Sequence, residues 1–407
     1  MKSQITPPRA IIIAGVAGSG KTTLGRQVAR TVGAPLLDLD SLTNPLLDQI
    51  VASAGTDSAH WLSPDAPAGV RTGRYAALLR TAADVLDTCG IAVLVAPFTA
   101  ELRGGTEWDR LRDALSPATV DVFYLHGDTD LFAARRAARG SDRDQHRDNT
   151  DDRHTPSIPH HPIDADLNTL QQAHRVLMHV SGMTAPESRH FSADKRFDAV
   201  LFDLDGTLVD STASVNRSWR KFAEHYGVSA KALEENHGKT AKNLVQILLP
   251  DTLHDEGLTR ITELEVADAS GVRAVAGAEP FFHAIAPHRR AVVTSGSIPI
   301  ATARLHATNL EIPPVMVTAD RVTNGKPHPE PFLTAAKDLG VSPDRCLVFE
   351  DAPAGITAAK AAGCTVVALR GTVADHELAG ADLIIDSFDQ VSLNSGPDGD
   401  FQLVVVS

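Results

Sequence analysis

The sequence predicts an α/β protein made of two doubly wound parallel-sheet domains, one in each half of the chain. Two observations carry this reading. Short apolar, β-branched runs recur along the chain, each closed by glycine or by acidic and hydroxyl residues, as buried parallel strands are. Two of these runs, Ala10–Ala14 and Asp198–Phe202, open directly into glycine-containing turns whose residue types suit phosphate chemistry.

The bulk numbers set the frame. With 407 residues, 43% hydrophobic and 22% charged, the chain has an ordinary globular composition and room for two domains. A net charge of -13 argues against a nonspecific grip on nucleic acid phosphates. Cys89, Cys346 and Cys364 lie far apart, with neither metal-site nor disulfide spacing, which fits a reducing cytoplasm. Residues 1–8 lack an apolar signal core, and no apolar run reaches the roughly 18 residues that a membrane helix needs. A cytoplasmic protein without membrane contact is expected.

In the first half, residues 10–14 form a strand, and Gly15-Val-Ala-Gly18-Ser19-Gly20-Lys21-Thr22-Thr23 follows, leading into a helix to about Arg30. This is a complete G-x4-G-K-[ST] phosphate-binding loop between a strand and a helix. Gly15, Gly18 and Gly20, with Ser19, let backbone N–H groups wrap a phosphate at the helix N-terminus. Lys21 is placed for the β- and γ-phosphates, Thr22 for Mg²⁺, and Thr23 completes the set, so ATP is the expected nucleotide. Pro35–Asp40 reads as the second strand. Asp40 at its end is a candidate base toward an acceptor hydroxyl, with helix capping as the alternative.

A helix over 75–88 and strands over 91–98 and 120–125 follow. Arg135, Arg139 and Arg143 stand four apart, which places them on one helix face that can clamp a phosphoryl group or simply face water. Residues 139–166 are polar and are expected as a lid extension or a disordered loop. His154, His160 and His161 lie there without a second ligand cluster at closed-site spacing. A helix over about 164–179 closes a domain of residues 1–180, and 181–196 reads as a linker.

In the second half, Asp198–Phe202 is a buried strand that ends in Asp203-Leu-Asp205-Gly206-Thr207. Two carboxylates at i and i+2 can share a divalent cation, one attacking phosphorus while the other handles the leaving-group proton. Gly206 allows the sharp turn and Thr207 restores hydrogen bonding in it. Helical patterning then runs over about 211–285 with a break at His237-Gly238-Lys239, which suggests a helical cap over the strand ends. His237 and Lys239 are candidates to meet substrate from that cap. Strand 291–293 leads into Thr294-Ser295-Gly296, hydroxyl and backbone donors toward a phosphoryl oxygen. Gly325-Lys326-Pro-His-Pro-Glu-Pro331 offers a lysine in a stiffened loop. Strand 346–349 ends in Glu350-Asp351, oxygen ligands for Mg²⁺. The closing run 400–407 reads as an extra strand.

Residues 198 to about 386 resemble the capped haloacid dehalogenase-type phosphatases. The likeness is greatest to sugar-phosphate and glycerol-3-phosphate phosphatases, with β-phosphoglucomutase a relative. The resemblance implies a Rossmann-like core in domain 197–407. It implies Asp203 as nucleophile forming an aspartyl-phosphate, and Asp205 as general acid and then base. Thr294 and Lys326 would hold the phosphoryl group, and Asp203, the Asp205 carbonyl and Asp351 would bind Mg²⁺ with support from Glu350. The first half resembles small P-loop kinases of the gluconate-kinase and shikimate-kinase type. That implies Asp40 as base and the Arg135–Arg143 region as lid, although Ala96 stands where such enzymes carry a strand-end aspartate. Three functions stay open: a kinase fused to a phosphatase of small sugar or polyol phosphates, a phosphatase with a regulatory ATP-binding module, and a nucleic-acid end-processing enzyme. The acidic balance and the expected cap speak against the last.

Overall fold

The computed structural model describes residues 7–54, 68–139, 155–229, 232–233, 240–396 and 399–406. The chain divides into two compact units, Met1–Gly182 and Met183–Ser407.

The first unit is built on a parallel sheet of β1 (Arg9–Gly15), β2 (Leu36–Asp38), β3 (Ile91–Val95), β4 (Thr119–His126) and β5 (His161–Asp164), in the order β2-β3-β1-β4-β5. The β-branched run Ile11–Ile13 explains the central strand. Its side chains alternate between faces, and both faces are buried. Ile12 packs with Leu78, Leu86 and Leu111 from helices 68–89 and 106–115. Ile11 and Ile13 pack with Leu24, Val28 and Val176 from helices 21–32 and 169–181. Helices on both faces are what double winding means.

The polar stretch 139–166 departs from expectation: residues 161–164 form the edge strand β5, parallel to β4. An edge strand needs ladder bonds on one side only, and the buried Ile163 anchors it, so Pro162 is tolerated there. The second strand also ends earlier than the sequence suggests. It stops at Asp38, and Asp40 lies in the first turn of the helix Leu39–Ala54.

The second unit holds a seven-stranded sheet in the order β12-β11-β8-β13-β14-β15-β6. Its strands are β6 (Glu187–Ser188), β8 (Ala199–Phe202), β11 (Arg290–Val293), β12 (Val315–Val317), β13 (Cys346–Glu350), β14 (Thr365–Leu369) and β15 (Leu383–Ile385). All neighbours are parallel except β6, which runs antiparallel to β15. One face carries an aromatic cluster in which Phe202 stacks on Phe349 at 5.5 Å, with Phe281, Phe282 and Phe388 around them. Full burial of each such side chain contributes about 1.5–3 kcal/mol. The other face packs Leu201, Val293 and Val348 against helices 330–339 and 353–361. The closing run forms β17 (Phe401–Val405), paired with β16 (Val391–Ser395) and with β7 (Arg196–Phe197).

Between β9 (Val209–Asp210) and β10 (Arg273–Ala274) lies the helical insert, with helices 212–226, 241–248 and 254–267. It has its own small core of Trp219, Phe222, Leu244, Val245 and Ile261. Helix 278–283, counted with the cap on sequence alone, instead buries Phe281 and Phe282 in the sheet's aromatic cluster. Residues 183–196 are not a free linker either. Besides β6, the backbone N–H groups of Arg189 and His190 donate to the Asp382 carbonyl, at 2.9 and 3.1 Å.

Candidate active site

The register of the second sheet assembles the site. Phe202 pairs with Val292 of β11 and with Phe349 of β13. Asp203 and Glu350-Asp351 come next along β8 and β13, and Thr294 follows Val293 at the end of β11, so all leave the sheet at one carboxyl edge. The Asp203 N–H still donates to the Phe349 carbonyl at 2.9 Å, which fixes where that carboxylate begins. Lys326 reaches the same edge from its loop. Its ammonium lies 2.5 Å from Asp203 Oδ1 and 2.7 Å from Glu350 Oε1. The second Glu350 oxygen accepts the backbone N–H groups of Asp351 and Ala352, each at 2.9 Å.

Asp203, Glu350 and Asp351 are all buried, and their ligand-type oxygens lie within 4.8 Å of one another. Burial, aided by the charges of Glu350 and Asp205, pushes the Asp203 carboxyl up to about 7, with Lys326 pulling the other way. Burial together with Asp203 and Glu350 raises Asp351 well above the carboxylate range. Burial opposes the Lys326 ammonium, but the two carboxylates beside it outweigh burial and raise its pKa. Three acids thus face one lysine. The cluster is short of positive charge and offers hard oxygens, the donor set that suits Mg²⁺.

The turn after β8 fits around this cluster. Gly206 has φ +88°, and a β-carbon there would run into the Asp351 carboxylate and Thr372. Glycine is therefore required twice over, for the backbone and for the space. Buried Thr207 donates to Asp351 Oδ1 at 3.4 Å. Thr294, also buried, accepts the Gly296 N–H at 3.0 Å, which shapes the loop that carries Ser295.

The haloacid dehalogenase-like hydrolase family profile matches residues 197–363. Hexitol phosphatase A of Escherichia coli is 37% identical over 211 residues, spanning 50% of this chain and 98% of that protein. The chain belongs to the haloacid dehalogenase-like hydrolases. Validoxylamine A 7'-phosphate phosphatase of Streptomyces hygroscopicus subsp. limoneus is 35% identical over 208 residues, 48% of this chain and 96% of its own. Glycerol-1-phosphate phosphohydrolase 2 of Saccharomyces cerevisiae is 32% identical over 191 residues, 44% of this chain and 76% of its own.

Within the haloacid dehalogenase-like unit, Asp203, Gly206, Thr207, Lys326, Glu350 and Asp351 come together, with Thr294, Ser295 and Gly296 at the neighbouring strand end. Asp205 lies at the edge of this group, close enough for its charge to act on Asp203. Its Oδ1 accepts Ser211 Oγ at 2.6 Å and lies 2.5 Å from Arg304 Nη1. Arg304 and Glu265, its second partner, escaped the sequence reading. A signal existed: Ala301, Arg304 and Leu305 share the buried face of one helix, an unusual place for a lone arginine. His237 and Lys239 lie outside the described residues.

In the first unit the Gly15–Thr23 segment joins β1 to helix 21–32. Gly18 and Gly20 adopt left-handed backbone, and Gly20 caps the helix without a side-chain hydrogen bond. Lys21 Nζ folds onto the Val16 carbonyl at 2.6 Å, and Thr22 Oγ1 donates to Asp38 Oδ2 at 2.9 Å. The strand-end carboxylate beside Thr22 is therefore Asp38, not Asp40. Asp40 is exposed and paired with Arg74 at 2.5 Å, because the helix starting at Leu39 turns its side chain outward. Arg135 donates to the Ala165 carbonyl at 3.1 Å, whereas its neighbour Arg136 reaches the loop itself, at the Ala17 carbonyl, at 2.9 Å. The Arg139 side chain and Arg143 lie outside the described residues.

His161 meets Asp121 and His179 in a second group of ligand-type atoms within 4.8 Å. The two imidazoles are tilted at 43° with centroids 3.6 Å apart, too close for both to point at one ion, and Arg9 holds Asp121 Oδ2 at 3.1 Å. Among the described residues no helix is long and apolar enough to cross a membrane.

Proposed function

We propose that the second unit is a phosphatase of small sugar or polyol phosphates that works through an aspartyl-phosphate on Asp203. The observation that carries this reading is the Lys326 ammonium set between Asp203 and Glu350 at the carboxyl edge of the sheet. The names of the relatives, all phosphatases of polyhydroxylated small molecules, support the substrate class.

An Asp203 oxygen attacks phosphorus and the bond to the ester oxygen breaks. That oxygen leaves with a proton from Asp205. Water then attacks the aspartyl-phosphate, giving its proton to Asp205, and Asp203 and inorganic phosphate are released. Lys326 offsets the charge on the phosphoryl oxygens, and the Thr294 hydroxyl with the Ser295 backbone N–H donates hydrogen bonds to them. Asp203, Asp351 and the Asp205 carbonyl would hold Mg²⁺, with Glu350 in support. The ion, when bound, supplies positive charge against the phosphoryl oxygens.

Hydrolysis of p-nitrophenyl phosphate and of a hexitol and glycerol phosphate panel, with Mg²⁺ and with chelator, tests this. Activity is expected with Mg²⁺ only, and Asp203→Asn is expected to abolish it. A fully active Asp203→Asn enzyme would remove the proposal.

For the first unit we propose that the Gly15–Thr23 loop binds ATP, with Lys21 on its phosphates and Thr22 toward Mg²⁺. The Thr22–Asp38 bond favours this reading, because it sets a strand-end carboxylate beside the hydroxyl that Mg²⁺ would use. ADP release on incubation with ATP, Mg²⁺ and polyols distinguishes a kinase from a regulatory nucleotide site. Binding without turnover selects the latter.

A further inference from the structure

Arg304 sits on helix 298–307 with only 2% of its surface exposed. A buried guanidinium is tolerated only when its charge is met. Here two carboxylates meet it, one at each terminal nitrogen, while Nε has no hydrogen-bond partner. Nη1 lies 2.5 Å from Asp205 Oδ1, and Nη2 lies 2.6 Å from Glu265 Oε2. The two acids come from different parts of the unit. Asp205 belongs to the turn after β8, and Glu265 is a buried residue of insert helix 254–267. The Trp219 side chain, from insert helix 212–226, also hydrogen-bonds Glu265.

We propose that Arg304 is a positioning residue that aims the Asp205 carboxylate at the leaving group and ties that aim to the seating of the helical insert through Glu265. This rests on the reading of Asp205 as the proton-transfer group. A clamp whose only task was to hold the insert on the sheet would need Glu265 alone. The third member, Asp205, distinguishes the two roles. One of its oxygens receives both Arg304 and Ser211, so its side-chain torsion is fixed from two sides. The rigid planar fork of arginine spans both acids at once, which a lysine ammonium does not reproduce. A shift of helix 254–267 carries Glu265 with it and changes the pull of Arg304 on Asp205.

The test compares leaving groups. p-Nitrophenolate departs without a proton, whereas the alkoxide of glycerol phosphate requires one. In the full-length chain with Mg²⁺, Arg304→Met is expected to slow glycerol phosphate turnover about 10²-fold, the order of a lost general acid. The pre-steady-state burst of p-nitrophenolate is expected to change little. Glu265→Gln is expected to give the same selectivity in weaker form, and Arg304→Lys to restore it only in part. Equal losses on the two substrates overturn the proposal and leave Arg304 a structural clamp. If Arg304→Met does not fold, Arg304→Lys at an unchanged thermal midpoint carries the same comparison, and an equal loss again overturns it. Asp205→Asn serves as control. Should it spare glycerol phosphate, the reading of Asp205 has failed, separately from that of Arg304.

Discussion

The Lys326 ammonium stands 2.5 Å from Asp203, and both side chains are buried. Among the described residues it is the cation placed against three acids, since Glu350 shares it and Asp351 lies beside them. Lys326→Met strands those buried charges without a counter-ion. Breaking a buried pair this way costs roughly 3–5 kcal/mol. Urea unfolding should show that loss, with phosphatase activity gone. A variant with both the wild-type midpoint and wild-type turnover would refute the assignment.

The same charge shortage sets a pH dependence. Burial first, then neighbouring acids, holds Asp203 at about 7, with Lys326 opposing. Burial lifts Glu265 to about 7 as well, against the pull of Arg304 and with Asp205 adding to it. Unfolded carboxyls titrate near about 4, so between the two values the folded chain binds more protons than the unfolded one. Stability in chelator therefore falls as pH rises from about 4 to about 7 and is level above that. Mg²⁺ gives the ionised acids a partner and flattens the slope. Thermal midpoints across that range, with EDTA and with Mg²⁺, check both statements. A midpoint in EDTA that climbs with pH contradicts them.

Gly355 lies in helix 353–361, where an added β-carbon would overlap the Glu350 carboxylate. Glu350 has no room to yield, because Lys326 and two backbone N–H groups hold its oxygens. Gly355→Ala should cost at least the usual 1–3 kcal/mol of overpacking, and should lower activity more than stability by displacing Glu350 from Lys326. Parallel unfolding and hydrolysis measurements read the two losses. Unchanged activity would show that Glu350 tolerates displacement.

The first unit gives an independent pair of variants. Lys21→Met and Asp38→Asn should each weaken binding of a fluorescent ATP analogue with Mg²⁺ by at least tenfold, the loss of about 1.4 kcal/mol expected for one charged contact. Hydrolysis of p-nitrophenyl phosphate should be unaffected in both. Asp40→Asn should leave nucleotide binding alone. If Asp40→Asn were the damaging change, the strand-end role would return to Asp40.

Much of the layout was readable because parallel strands buried on both faces declare themselves as apolar runs. Ile11–Ile13 and Val200–Phe202 are such runs, and the acids at the end of the latter fall together because neighbouring strands share one register. What escaped follows a physical pattern too. β5 is an edge strand with one buried side chain, Ile163, so polarity hid it. Asp40 drew attention over Asp38 because one residue of strand length decides which acid faces inward, and strand ends are hard to place from pattern alone. Arg304 was hidden because its partners lie 99 and 39 positions away in the chain, at Asp205 and Glu265.

The stretch from Met183 to Lys195 has a practical consequence for anyone who dissects this chain. The strand Glu187–Ser188 covers the outer side of Leu383–Ile385, and the Thr184 carbonyl receives Gln390 Nε2 at 2.7 Å. A fragment that starts at the first residue of the family match would bare an oily, unpaired ribbon of backbone, an invitation to clumping. Preparations of the hydrolase half alone should begin at Met183, and insolubility of anything shorter would reflect that missing selvage and not a flaw in the catalytic part.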